Sequence, residues 1–170
     1  HFLCAYLLGC PVEGYVLSTW AALYDDRFKS KAVKAGTSFF DPNMSAQTIS
    51  CSQNAMENAG VERYSIILMA GIAAESLSYG QSDGGFADET ALISFLSKFG
   101  KWDDVTIRNQ FRWGALQATL ILQEYKECYD ALVAVLERGG SLGECIYAIE
   151  KAGCENVKCP LEHPLGFIWE

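Results

Sequence analysis

Between Glu62 and Ser78 the apolar residues Ile66, Met69, Ala70, Ala73 and Leu77 recur three and four positions apart, the spacing of one face of an α-helix. The interleaved small residues Ala70, Gly71, Ala73 and Ala74 leave room for a second helix to approach closely. A chain built around such a segment folds as packed helices, and the flanking sequence agrees. Phe2–Leu8 reads as a helix stopped by Gly9 and Pro11. A further helix is expected over Phe86–Ser97. The longest helical region spans roughly 104–136, capped by Asp103 or Asp104 and ended by Gly139 and Gly140. Ser141 and Glu144, three apart, form a capping box for a last helix.

Strand signals are few. "EGYVLSTW" alternates polar residues with β-formers, and "TSFF" reads as a second short extended piece. A helical turn after Pro42, with Asp41 as its cap, is the remaining expectation in the loop-rich stretch before Gly60. The fold class is therefore mainly α, with a small β element near residues 13–40. At 170 residues one domain spanning 1–170 is expected, ending in an irregular tail over 151–170 whose apolar end, "LGFIWE", suits docking on a partner.

Several functions fall away at this level. A net charge of −8 opposes nucleic-acid binding, which needs clustered Lys and Arg. No apolar run, residues 66–74 included, approaches the roughly 20 residues of a membrane span. There is no phosphate-binding G-x-x-x-x-G-K-[ST], no G-x-G-x-x-G and no G-x-S-x-G, so no nucleotide cofactor is expected. Seven scattered cysteines without a C-x-x-C pair read as reduced thiols rather than a disulfide framework. Cys154, Cys159 and His163 lie close together, but their spacing matches no standard zinc motif, so structural thiols or a disulfide are the expectation for the two cysteines. The two histidines, His1 and His163, limit His-dependent chemistry to those positions. The plain reading of His1 is a solvated terminal side chain. That of Asp88 is a first-turn carboxylate facing a helix dipole.

Three stretches alter that weighing. "HFLCAYLLG" is similar to the second half of the H-E-A-G-H zinc helix of FtsH-type metallopeptidases, which continues into an apolar "AYLLG". "MAGIAAESLSYG" resembles that family's "GGRAAEE…FG" helix, with Glu75 on its first glutamate. "GGFADE" resembles the family's "G-A-x-N-D-L", which places Asp88 on the third zinc ligand, with Asp83 the alternative because the loop is shorter. Residues 113–150 resemble the closing helical pair, so the likeness covers about 1–15 and 61–150 and leaves 20–60 and the tail without a counterpart. The nearest likeness is to plant and algal FtsH-like proteins that lack the ATPase module.

The resemblance implies a zinc-dependent peptidase-like domain with His1 and Asp88 as metal ligands and Glu75 as an outer hydrogen-bonding residue. The first histidine and the general-base glutamate of the motif would lie four and three residues upstream of His1, so the displayed residues alone would not be active. It also implies protein or peptide substrates, partner subunits of a larger assembly, and a chloroplast setting in the stroma or at the thylakoid surface. A catalytically inactive scaffold of the same fold is the alternative. A metal-free helical domain unrelated to the family is a third.

Overall fold

The computed structural model describes residues 1–25, 36–39, 55–82, 85–97 and 102–154. The expected turn after Pro42, Asp83, Cys51, Cys159, His163, the side chain of Cys154 and the tail from residue 155 lie outside them. In chain order the elements are α1 (Phe2–Leu7), β1 (Val12–Val16), α2 (Thr19–Tyr24), β2 (Gly36–Phe39), α3 (Ala55–Tyr79), α4 (Phe86–Leu96), α5 (Asp104–Glu124), α6 (Lys126–Glu137) and α7 (Leu142–Ile149), followed by a π-helical turn over Glu150–Cys154. The fold is mainly helical with one small sheet. Where length alone suggests one domain, the described contacts gather into two compact units. One holds His1 and Asp41–Leu122, the other Phe2–Phe40 and Gln123–Glu170.

The first unit is built on α3. This helix begins at Ala55, about two turns before the expected Glu62; Ala55, Met56, Glu57 and Ala59 of "AMENAG" are good helix formers and outweigh Asn58 and Gly60. Ser65 through Ala70 are buried in succession, so the helix is enclosed on all sides there rather than along one stripe. Leu77, expected on the buried face, is instead exposed at 43%. Val61, Leu68 and Met69 pack with Leu92 and Leu96 of α4, and Trp102 and Phe111 close the edge of this cluster. Each fully buried leucine contributes about 1.5–3 kcal/mol relative to exposure.

Helix α5 approaches α3 at Gly114, where an added Cβ would stand 3.0 Å from the Ser65 carbonyl oxygen. Beside it the Gln110 Nε2 donates to Ser65 Oγ at 3.0 Å, and Ser65 Oγ donates to the Val61 carbonyl at 2.7 Å. Ser65, enclosed at this crossing, is therefore satisfied on both its donor and acceptor sides. At the start of α5, Asp103 Oδ1 accepts from the Thr106 amide at 2.7 Å, as the capping pattern anticipates.

In the second unit, local signals act as read. After α1 the Gly9 amide donates to Tyr6 and the Cys10 amide to Ala5, with Gly9 left-handed at φ 72°. These are the paired bonds of a Schellman stop. β1 and β2 pair antiparallel, Val16 opposite Gly36 and Val12 opposite Phe39, with an irregularity between Val12 and Gly14. Helix α6 packs on α7. Ser141 Oγ accepts from the Glu144 amide while Glu144 Oε2 accepts from the Ser141 amide, completing the capping box. The Tyr15 hydroxyl donates to the Gly140 carbonyl, and the Tyr6 hydroxyl donates to Glu150 at 3.0 Å.

Two expectations need correction. The helix expected over 104–136 is two helices, interrupted at Tyr125, whose φ of −102° and ψ of 36° leave the helical region. No Gly or Pro marks that break in the sequence. The thiols are not uniformly reduced either. Cys4, Cys10 and Cys145 are buried and carry thiols, whereas Cys128 is disulfide-bonded. Complete burial pushes the Cys4 thiol up to about 12, which keeps it protonated and unreactive.

Candidate functional site

Within the first unit, two of the residues singled out in the sequence meet. Asp88 lies in the first turn of α4, where a carboxylate is favoured by the helix dipole. The start of that helix is fixed by Gly85, left-handed at φ 106°, whose missing side chain would collide with Ile72 of α3. This close start sets the first turn of α4 against the middle of α3. His1 enters the same place. Its Nε2 stands 3.4 Å from Asp88 Oδ2, and its Nδ1 lies 2.7 Å from the Ile67 carbonyl oxygen.

The second contact fixes the chemistry of the ring. A carbonyl oxygen can only accept, so Nδ1 carries the hydrogen and donates it to Ile67. In a neutral ring Nε2 is then a bare lone pair facing a carboxylate oxygen. Two acceptors so placed repel unless a cation lies between them. One cation is the proton. Burial works against the charged ring, but the hydrogen bond and charge of Asp88, helped by the Ile67 carbonyl, outweigh it and raise His1 above its usual 6.5.

A metal ion is the other. At 3.4 Å the pair is longer than a normal N–H···O hydrogen bond. Two ligands at ordinary Zn–N and Zn–O lengths on a tetrahedral centre stand roughly 3.4 Å apart. A metal-binding histidine also commonly donates its other nitrogen to a backbone carbonyl, as His1 does. The donor set present therefore fits two positions of a zinc site. Among the described residues no third His, Cys, Asp or Glu completes it. The pair is reachable from solvent, with side-chain exposures of 24% for His1 and 30% for Asp88.

Three contributors were not singled out by sequence reasoning for this site. The Ile67 carbonyl is a backbone group, which no side-chain pattern marks. Gly71, read as a helix-approach residue, lies against the pair: its added Cβ would stand 2.7 Å from His1 Nε2 and 3.2 Å from Asp88 Oδ2. Tyr64 stacks on Phe95 with ring centroids 4.2 Å apart, and its hydroxyl is raised first by burial and then by the charge of Asp88. Positions 64, 67 and 71 follow one another at helical spacing and so share one face of α3, but that spacing does not say what the face meets. Glu75, expected as an outer hydrogen-bonding residue, accepts from Ser82 at 3.1 Å and ties down the segment leaving α3. Trp102 packs at the core edge, while Trp113, Tyr125 and Tyr129 are half-buried.

No protein-family model, curated protein or solved structure matches the chain.

Proposed function

We propose that His1 and Asp88 are two ligands of a zinc site of the FtsH peptidase type and that the completed site hydrolyses peptide bonds. The observation carrying this reading is the 3.4 Å separation of Nε2 and Oδ2 on a ring whose Nδ1 is already committed to Ile67. The remaining ligand would be a histidine four residues before His1, on the same helix face. A glutamate three residues before His1 would be the general base. When bound, zinc supplies Lewis acidity toward the peptide carbonyl and acidifies water. The Ile67 carbonyl holds the His1 tautomer that presents a lone pair. Such a glutamate would take the proton from the attacking water and return it to the leaving amine. The partial exposure of His1 and Asp88 suits an extended peptide segment as substrate.

A second reading has its own support. Protonated His1 and ionised Asp88 satisfy each other without a metal, and Asp88 raises His1 in that direction. The domain would then be a non-catalytic subunit of a larger assembly. Elemental analysis of the purified full-length protein separates the two. The peptidase reading expects about one zinc per chain, lost on Asp88→Ala. No zinc after purification in chelator-free buffer removes that reading and leaves the ion-paired scaffold.

A further inference from the structure

Position 71 is an unusual place for glycine. It lies in the interior of α3, where alanine is the better helix former, and Ala70, Ala73 and Ala74 beside it are alanines. Helix propensity therefore does not account for it. Its surroundings do. A Cβ at position 71 would meet His1 Nε2 at 2.7 Å, His1 Cε1 at 3.0 Å and Asp88 Oδ2 at 3.2 Å. Its two nearest polar neighbours are thus the pair of atoms that face each other across the site. The other close-packed glycines are different: Gly114 meets the Ser65 backbone and Met69, Gly85 meets Ile72, and Gly140 meets Val135 first.

We infer that Gly71 is the positioning residue of the His1–Asp88 pair, bare so that Nε2 and Oδ2 can stand at the separation that two ligands of one metal ion require. The inference rests on the zinc reading above and assigns a residue to it. The His1 ring cannot simply retreat from a methyl group at 2.7 Å. Its Nδ1 is held at 2.7 Å by the carbonyl of Ile67, one turn earlier on the same helix, so any movement that relieves the clash lengthens that bond or turns Nε2 away from Asp88. Asp88 is confined as well, since α4 starts tightly against Ile72. A single methyl at position 71 therefore spreads the pair and swings the lone pair out of line.

Titration of the metal-free full-length protein with Co²⁺ reads this directly, because the intensity of its visible ligand-field bands reports coordination geometry. Gly71→Ala is expected to weaken Co²⁺ binding by about 10–100-fold, the range seen when groups that orient a ligand are disturbed, and to change the band shape. Gly114→Ala, a packing change away from the pair, should lower Tm and leave Co²⁺ affinity and spectrum unaltered. Should Gly71→Ala fold poorly, a double-mutant cycle in Tm decides the matter. Once His1→Ala has vacated the ring's space, the Gly71→Ala substitution should cost much less, a coupling absent if position 71 matters only to helix packing. Native Co²⁺ affinity and spectrum in Gly71→Ala, or additive Tm changes in the cycle, would overturn the inference and spare the zinc site. A wild-type protein that takes up no Co²⁺ would overturn the zinc reading, and this inference with it.

Discussion

The two units are held by different kinds of information. In the unit containing α3, α4 and α5, the decisive contacts join residues far apart in sequence: Gly114 against Ser65, Gln110 to Ser65, Asp88 to His1. In the unit containing α6 and α7, the helix ends are set by local contacts, to which the long-range Tyr15–Gly140 and Tyr6–Glu150 hydrogen bonds are added. Gly139 and Gly140 donate back to Leu136 and Val135, and Ser141 and Glu144 cap each other. Glycine serves both ways of holding the chain. At Gly114 it is an absence of side chain that a neighbour fills, and at Gly139 it supplies a left-handed φ of 70° with open space around it. Each unit uses both: Gly80 of the first is left-handed and open, and Gly140 of the second stands against Val135.

The sharpest way to break that contrast is a pair of glycine substitutions. Gly114→Val forces a branched side chain toward the Ser65 carbonyl and Met69, and should destabilise the protein by about 2–3 kcal/mol, within the range for overpacked cores. Gly143 lies inside α7 with nothing within reach of its Cβ. There Gly143→Ala should stabilise by about 0.5–1 kcal/mol, through helix propensity alone. Urea unfolding of both variants measures the two numbers. Equal signs would mean that the α3–α5 crossing is loose enough to accept a side chain, and that the difference between the units is overstated.

What could be read from the sequence follows the same line. The stop at Gly9, the cap at Asp103 and the box at Ser141 involve residues within a few positions of one another, so their spacing encodes them. The two short strands were legible in part: Tyr15 and Val16 of "EGYVLSTW" and the β-formers of "TSFF" mark them, but Ser18 caps a helix that the alternation hid, so Thr19 and Trp20 open α2 rather than extend the strand. The break at Tyr125 was not legible, since no Gly, Pro or polar cluster marks it. The enclosure of Ser65–Ala70 on every side was hidden too: a helix buried all round has no single stripe, and periodicity reports only stripes. At the candidate site, His1 and Asp88 were found through resemblance to a motif rather than through spacing. The carbonyl of Ile67 and the bareness of Gly71 express tertiary approach, which composition and period cannot carry.

Smaller effects test the local half of the comparison. Ser141→Ala removes the hydroxyl that accepts from the Glu144 amide and should cost about 1 kcal/mol, the usual loss for an N-cap serine. A much larger loss would show that the cap also supports the long-range Tyr15–Gly140 hydrogen bond at the α6–α7 connection.

The finest test is the pH dependence of the same cap. The Ser141 amide and hydroxyl, followed by the Arg138 guanidinium, hold the Glu144 carboxyl below its usual 4.5. A carboxyl depressed in the folded state binds its proton more readily when the chain is unfolded, so it contributes stability that is present above 4.5. That contribution is lost as pH falls through the lower folded value. Glu144→Gln keeps an acceptor oxygen toward Ser141 but removes the titration. The difference in Tm between wild type and Glu144→Gln should hold constant above the carboxylate range and shrink as the solution is acidified below it. Both side chains are exposed, so the difference should also narrow in high salt, which screens the Arg138 contribution while leaving the short amide bond in place. Parallel pH curves for the two proteins would show that the serine hydroxyl and backbone hold the start of α7 unaided, and that the carboxylate is incidental to the capping box.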